Sequence, residues 1–197
     1  MANNSTDRTI QGGLWVMKQE YDIDGLPPKE EIISDYTIAL LEVAAADGVL
    51  SEAERRWVVG LASATGKYFS YVKTMDNFRN FILGAPQVVL DQLQNYQHKG
   101  MDSILKTFHI ESGHGNAIHR QLSLIYDGFR AAGADGELHP KEIDAIYKLG
   151  NALGVDDTKI KQLYDLYLEN QQNRLKRLSI IFPNGGNNAM AELVKLY

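Results

Sequence analysis

From residue 33 onward, apolar side chains recur at three- to five-residue steps. Ile33, Ile38, Leu41 and Ala45 fall broadly on one face of a helix. A second helix is predicted from about Glu52 to Ala64, stopping at Gly66, a usual residue just past a helix end. A third runs from Tyr68 to Leu83 and is closed by Gly84-Ala-Pro; a fourth spans Gln87 to His98, and a short one continues through Leu105. His109 to Gly115 reads as a loop. The next helix covers Asn116 to about Ala134 and carries Ile118, Leu122, Ile125 and Phe129. Pro140 opens another that runs to Leu153 and ends at Gly154, and Asp156 or Asp157 caps a long helix through about Leu178. Asn184-Gly-Gly-Asn-Asn breaks the pattern before a terminal helix from Met190 to Tyr197. Residues 1–29 are loosely organised, with a short extended segment from Thr9 to Met17 and a Leu26-Pro27-Pro28 interruption. Alternating strands are absent from this pattern. The expected class is all-α, a bundle of about seven to nine helices. The expected divisions are an N-terminal extension (1–29), a helical domain (30–183), and a Gly/Asn-rich break with a C-terminal helix (184–197).

One internal repeat organises the bundle. Leu41-Glu-Val-Ala-Ala-Ala-Asp-Gly-Val-Leu-Ser-Glu-Ala-Glu54 aligns without a gap on Phe129-Arg-Ala-Ala-Gly-Ala-Asp-Gly-Glu-Leu-His-Pro-Lys-Glu142, at a constant offset of 135 − 47 = 88. Ala44 meets Ala132, Asp47 meets Asp135, Gly48 meets Gly136, Leu50 meets Leu138 and Glu54 meets Glu142. The register continues through Leu61 with Leu149 and Gly66 with Gly154. The two copies cover about 33–66 and 121–154: a duplicated helix–turn–helix with an insert between.

Each copy has a purely mechanical account. Its first helix ends in small residues, and Gly48 or Gly136 can take the positive φ that closes the turn. Ser51-Glu-Ala-Glu54 is a capping box, with Ser51 at N-cap and Glu54 at N3. The second copy has His139 at the cap and Pro140 at N1, a favoured proline position. The same residues also form the second half of a calcium loop of the EF-hand kind, Asp-Gly-x-Leu-x-x-x-Glu. Asp47 and Glu54, and likewise Asp135 and Glu142, are the candidate cation ligands. The earlier ligand positions hold Val43 and Ala45 in one copy and Ala131 and Gly133 in the other. A hard cation takes six or more oxygens, so one copy leaves most of the shell to water, which argues against a tight site. Weak binding would require the two turns to lie together and pool their carboxylates.

These stretches resemble the tellurite-resistance TerB family and the related domain of some membrane-anchored DnaJ-type cochaperones, which carry Ala-x-x-Asp-Gly-x-Leu-x-x-x-Glu at a helix junction, often twice. Here Ala44 to Glu54 and Ala132 to Glu142 match, and the resemblance covers roughly residues 33–178, with nothing recognisable from 67 to 115. It implies an acidic all-helical module linked to stress resistance. It also implies association with membrane complexes, divalent-ion binding at the acidic turns and no catalysis. The N-terminal extension and the late Gly-rich break depart from the family.

Composition narrows the function classes. The chain has 197 residues, a hydrophobic fraction of 44%, no cysteine and a net charge of −5. Disulfides, thiolate metal sites and cysteine nucleophiles are excluded, and the acidic balance argues against nucleic acid, which selects clustered Lys and Arg. The densest basic cluster, Arg174, Lys176 and Arg177, reads as a solvated helix end. The first residues lack a basic n-region and an apolar h-region, and no apolar run approaches the ~20 residues of a membrane span. A cytoplasmic protein with no direct membrane insertion is the expectation.

Two other chemistries bear on the reading. His109, Glu111, His114 and His119 could bind a catalytic metal, although their spacing fits no zinc signature. A helical carrier could enclose a small apolar ligand with the insert 67–108. Neither a Gly-x-Ser-x-Gly elbow nor a phosphate-binding glycine loop is present. The leading expectation is a non-catalytic module that docks on partner proteins and binds Ca²⁺ or a similar divalent cation weakly.

Overall fold

The computed structural model describes residues 15, 18–20, 22, 24, 30–61, 94–107 and 117–187, with the backbone alone at 30–35, 107 and 117–120. Among them α1 spans Glu30–Ala44, α2 covers 52–61, α3 is Met101–Thr107, α4 is Ala117–Ala132, α5 is Pro140–Ala152 and α6 is Asp157–Ile181. A 3₁₀ turn, Gly133–Asp135, closes α4. No strand occurs among the described residues, in keeping with the all-α expectation. The helices predicted at 68–83 and 190–197, the loop 109–115 and most of the insert lie outside the described residues.

The duplication is visible as architecture. Moving α1 and α2 along by the repeat offset places them on α4 and α5. The first helices of the two copies, α1 and α4, pack most extensively on each other. Leu40, Leu41, Val43 and Ala44 are fully buried there with Leu124, Ile125, Phe129, Ala131 and Ala132. Val58 and its equivalent Ile146 are also fully buried, so both second helices turn the same position to the core. At roughly 1.5–3 kcal/mol for each large apolar side chain, this shared interface is a large source of stability.

Polar contacts fix the remaining elements. The Tyr36 hydroxyl donates to Asp127 at 2.7 Å, tying α1 to α4 inside the core. Arg130 pairs with Asp127 at 3.2 Å and with Glu20 at 2.7 Å, while its guanidinium lies 5.2 Å from the Trp57 ring centre. Asp156 is the N-cap of α6, its carboxylate accepting from the Lys159 N–H at 3.0 Å.

Two boundaries differ from the sequence expectation. Trp15 is helical, not extended, while the rest of 9–17 lies outside the described residues. The fourth predicted helix does not reach His98: residues 96–100 are irregular, because this stretch turns to meet Glu42 of α1.

A close approach governs the end of α4. A methyl placed on Gly133 would stand 1.8 Å from the Tyr167 hydroxyl oxygen. Tyr167 is buried, and its ring stacks on Phe129 with centroids 6.1 Å apart, so it cannot readily retreat. The equivalent residue in the first copy is Ala45, also buried, so the turn itself tolerates a methyl. Gly133→Ala is therefore expected to cost about 1–3 kcal/mol through displacement of Tyr167. Urea unfolding would measure it, and a variant as stable as the parent would show the contact to be slack.

Candidate functional site

The two Asp-Gly turns have the same local construction. Gly48 and Gly136 both sit at φ 104°, and each N–H returns to the carbonyl three residues earlier, at 3.0 Å in one copy and 3.2 Å in the other. Asp47 Oδ1 accepts from the Val49 N–H at 2.7 Å, and Asp135 Oδ1 accepts from the Glu137 N–H at 3.0 Å. One oxygen of each aspartate is thus spent on holding its own turn. The capping boxes form as well. Glu54 Oε2 accepts from the Ser51 N–H at 2.6 Å, and Glu142 Oε2 accepts from the His139 N–H at 2.7 Å. In return, Ser51 Oγ accepts from the Glu54 N–H at 3.2 Å, and His139 Nδ1 from the Lys141 N–H at 3.2 Å.

The capping glutamates differ from ordinary caps in their burial, since each is only 3% exposed. Their carboxyls hydrogen-bond each other across the repeat boundary, so the two turns are brought together. The aspartates interact reciprocally: Asp135 acts on Glu54, and Asp47 on Glu142. Loss of water pushes both glutamates above the usual carboxylate range. For Glu142 the neighbouring Glu54, as hydrogen-bond partner and as charge, and the charge of Asp47 add to that rise. They outweigh the opposing His139 N–H, and Glu142 reaches about 8. Two carboxylates in contact cannot both ionise cheaply. Burial and mutual proximity therefore favour a proton on the pair.

Sequence reasoning singled out Asp47, Glu54, Asp135 and Glu142, and the structure places all four around this joint. Among the described residues, no three His, Asp or Glu side chains converge closely enough to enclose a metal ion. A cation here would draw directly on the glutamate pair and reach the aspartates through water. His109, Glu111 and His114 lie outside the described residues. His119 stands in the first turn of α4.

A second polar centre had only a faint signal in the sequence. Glu42, in the apolar run Leu41-Glu42-Val43-Ala44, is fully buried. Its Oε1 accepts from the Tyr96 hydroxyl and from the Lys99 N–H, the latter at 2.6 Å. Its Oε2 stands 2.9 Å from His98 Nδ1, without the alignment of a hydrogen bond. Burial and the adjacent carboxylate push the Tyr96 hydroxyl well up from its ordinary value. Arg55 of α2 reaches the Tyr96 carbonyl at 3.3 Å. Glu42 therefore latches the 96–99 strap onto α1, and the repeat could not foretell this, because Arg130 occupies the equivalent position in the second copy. Beside the latch, α1 and α5 flank a cleft of about 250 Å³ lined by Ala46, Met101, Lys141 and Lys148. Lys148 is engaged by Asp102 at 2.6 Å.

The fold has a counterpart among solved structures. The crystal structure of a tellurite resistance protein from Nostoc punctiforme superposes with a TM-score of 0.64 at 24% identity, covering 91% of this chain and 98% of that one. At that identity the likeness establishes a shared fold. No family model matches the chain, and no curated protein does.

Proposed function

We propose that this chain is a non-catalytic, TerB-like helical module of a stress response, cytoplasmic and acting through protein partners, in which the Glu54–Glu142 joint senses divalent cations. The fold shared with a tellurite resistance protein supports the kinship. Among the described residues no helix is long and apolar enough to cross a membrane. The observation that carries the reading is the meeting of the two capping glutamates, one from each repeat, with an aspartate of the opposite copy acting on each.

A cation at the joint replaces the shared proton and neutralises the charge that otherwise limits ionisation. Each carboxylate has already given one oxygen to a backbone N–H. The residual donor set is small, which sets the affinity in the weak range, a Kd on the order of 1 mM. At about 5 mM Ca²⁺ or Mg²⁺ the expected stabilisation is then about 1 kcal/mol. Calorimetric titration with Ca²⁺, Mg²⁺ and Zn²⁺, run in two buffers of different ionisation enthalpy, would also show proton release on binding. No heat and no thermal shift at millimolar ion would reduce the four carboxylates to caps and turn formers.

A further inference from the structure

The far half of α6 contributes to neither polar centre. Only Ile160 and Tyr167 of this 25-residue helix are buried, and from Leu168 to Phe182 every residue is exposed or half-exposed. Asn170 still reaches the Tyr126 hydroxyl of α4 at 2.6 Å, so at ~1.5 Å per residue the last ~15 Å of the helix, from 172 to 181, lies past its last contact with the other described helices.

Two features are combined there. Arg174, Lys176 and Arg177 are exposed, and no acidic residue occurs between 170 and 187, in a chain of net charge −5. Next come exposed apolar residues: Ile180 at 71%, Ile181 at 56% and Phe182 at 38%, with Leu175 at 61% among the basic residues. At ~100° per residue Ile180 and Ile181 sit on different sides of the axis, and Phe182, at φ −127°, leaves the helix beside them. A protein groove receives one face of a helix, whereas a fluid apolar layer receives an end that is apolar all round. The basic residues stand ~8 Å back along the axis, comparable to the depth at which interfacial helices seat apolar groups below the lipid headgroups.

We propose that the projecting end of α6, from Arg174 to Phe182, docks on an anionic lipid surface, with Ile180, Ile181 and Phe182 entering the acyl boundary and Arg174, Lys176 and Arg177 meeting the headgroups. Pairing with the same end of a second copy is disfavoured, because it sets these basic side chains against their own kind. The docking is reversible and confined to one leaflet, since the helix is too short in apolar length to span.

The test is co-sedimentation of the full chain with vesicles of phosphatidylcholine alone and of phosphatidylcholine with one quarter phosphatidylglycerol. The anionic vesicles should bind ~100-fold more tightly, about fivefold for each basic side chain, and high salt should erase the difference. The triple variant R174S/K176S/R177S should lose the preference, and I180S/I181S/F182S should lose binding to either vesicle. All six positions are exposed, so circular dichroism and melting temperature serve as folding controls and should not move. Equal binding to both vesicles, no binding, or full binding by either variant would overturn the proposal. So would a dimer in light scattering that the apolar variant dissolves, which would assign this end to a second copy.

Discussion

Between pH 6 and pH 9 the protein is expected to lose about 2–3 kcal/mol of folding stability, and Glu142→Gln is expected to abolish most of that loss. Glu142 has an ordinary value of 4.5 and is pushed up to about 8 by burial and by Glu54 and Asp47. Between those values the folded chain keeps a proton that the unfolded chain has released. Rising pH therefore favours unfolding, by up to ~1.4 kcal/mol per pH unit, and the effect levels off once Glu142 ionises in the fold. The stabilisation is complete in acid and fades in alkali, opposite to a salt-bridged carboxylate. The substituted glutamine would preserve the arrangement at every pH, its amide donating to Glu54 as the proton does and its carbonyl accepting from the His139 N–H. Urea unfolding at pH 6, 7, 8 and 9 would compare the two proteins. The reading fails if their curves run parallel.

Removing the buried carboxylate of Glu42 should be more damaging still. Glu42→Ala leaves the Tyr96 hydroxyl and the Lys99 N–H without their acceptor and His98 without its counter-group. Breaking a buried ionic or polar centre on one side costs roughly 3–5 kcal/mol, or about 10 °C in melting temperature for a chain of this size. Glu42→Gln, which keeps an acceptor oxygen, should fall well short of that loss. Amide exchange locates the damage: the Lys99 N–H should exchange much faster in the alanine variant, while the Glu54 and Glu142 amides in the opposite part of each copy change little. A melting temperature within about 2 °C of the parent would show that the strap is held by something other than Glu42.

How far the sequence could be read differs between these two centres. The all-helical class, the duplicated unit and the capping boxes are local, written in periodicity and in residues three apart, and Ser51, Glu54, His139 and Glu142 stand where that logic puts them. The offset also implied that the two turns are equivalent. Their contact needed the packing of α1 on α4, and the sharing of a proton needed burial, neither of which a one-dimensional pattern expresses. Glu42 is the contrary case. A charged residue inside an apolar helical stretch was its only mark, and its partners lie 54 to 57 residues away in an irregular strap. The basic cluster after Gln172 was legible as a cluster, but the apolar residues one turn later gain meaning only from their exposure in the fold.

The meeting of Glu54 with Glu142 has a consequence for symmetry. In a strictly twofold assembly of identical halves, a side chain on the axis faces its own copy, and a carboxyl facing a carboxyl must leave undecided which of them is the acid. Joining both halves in one chain lifts that degeneracy. Ser51 Oγ accepts from the Glu54 N–H itself, whereas His139 Nδ1 accepts from the Lys141 N–H, so the two carboxyls need not be alike.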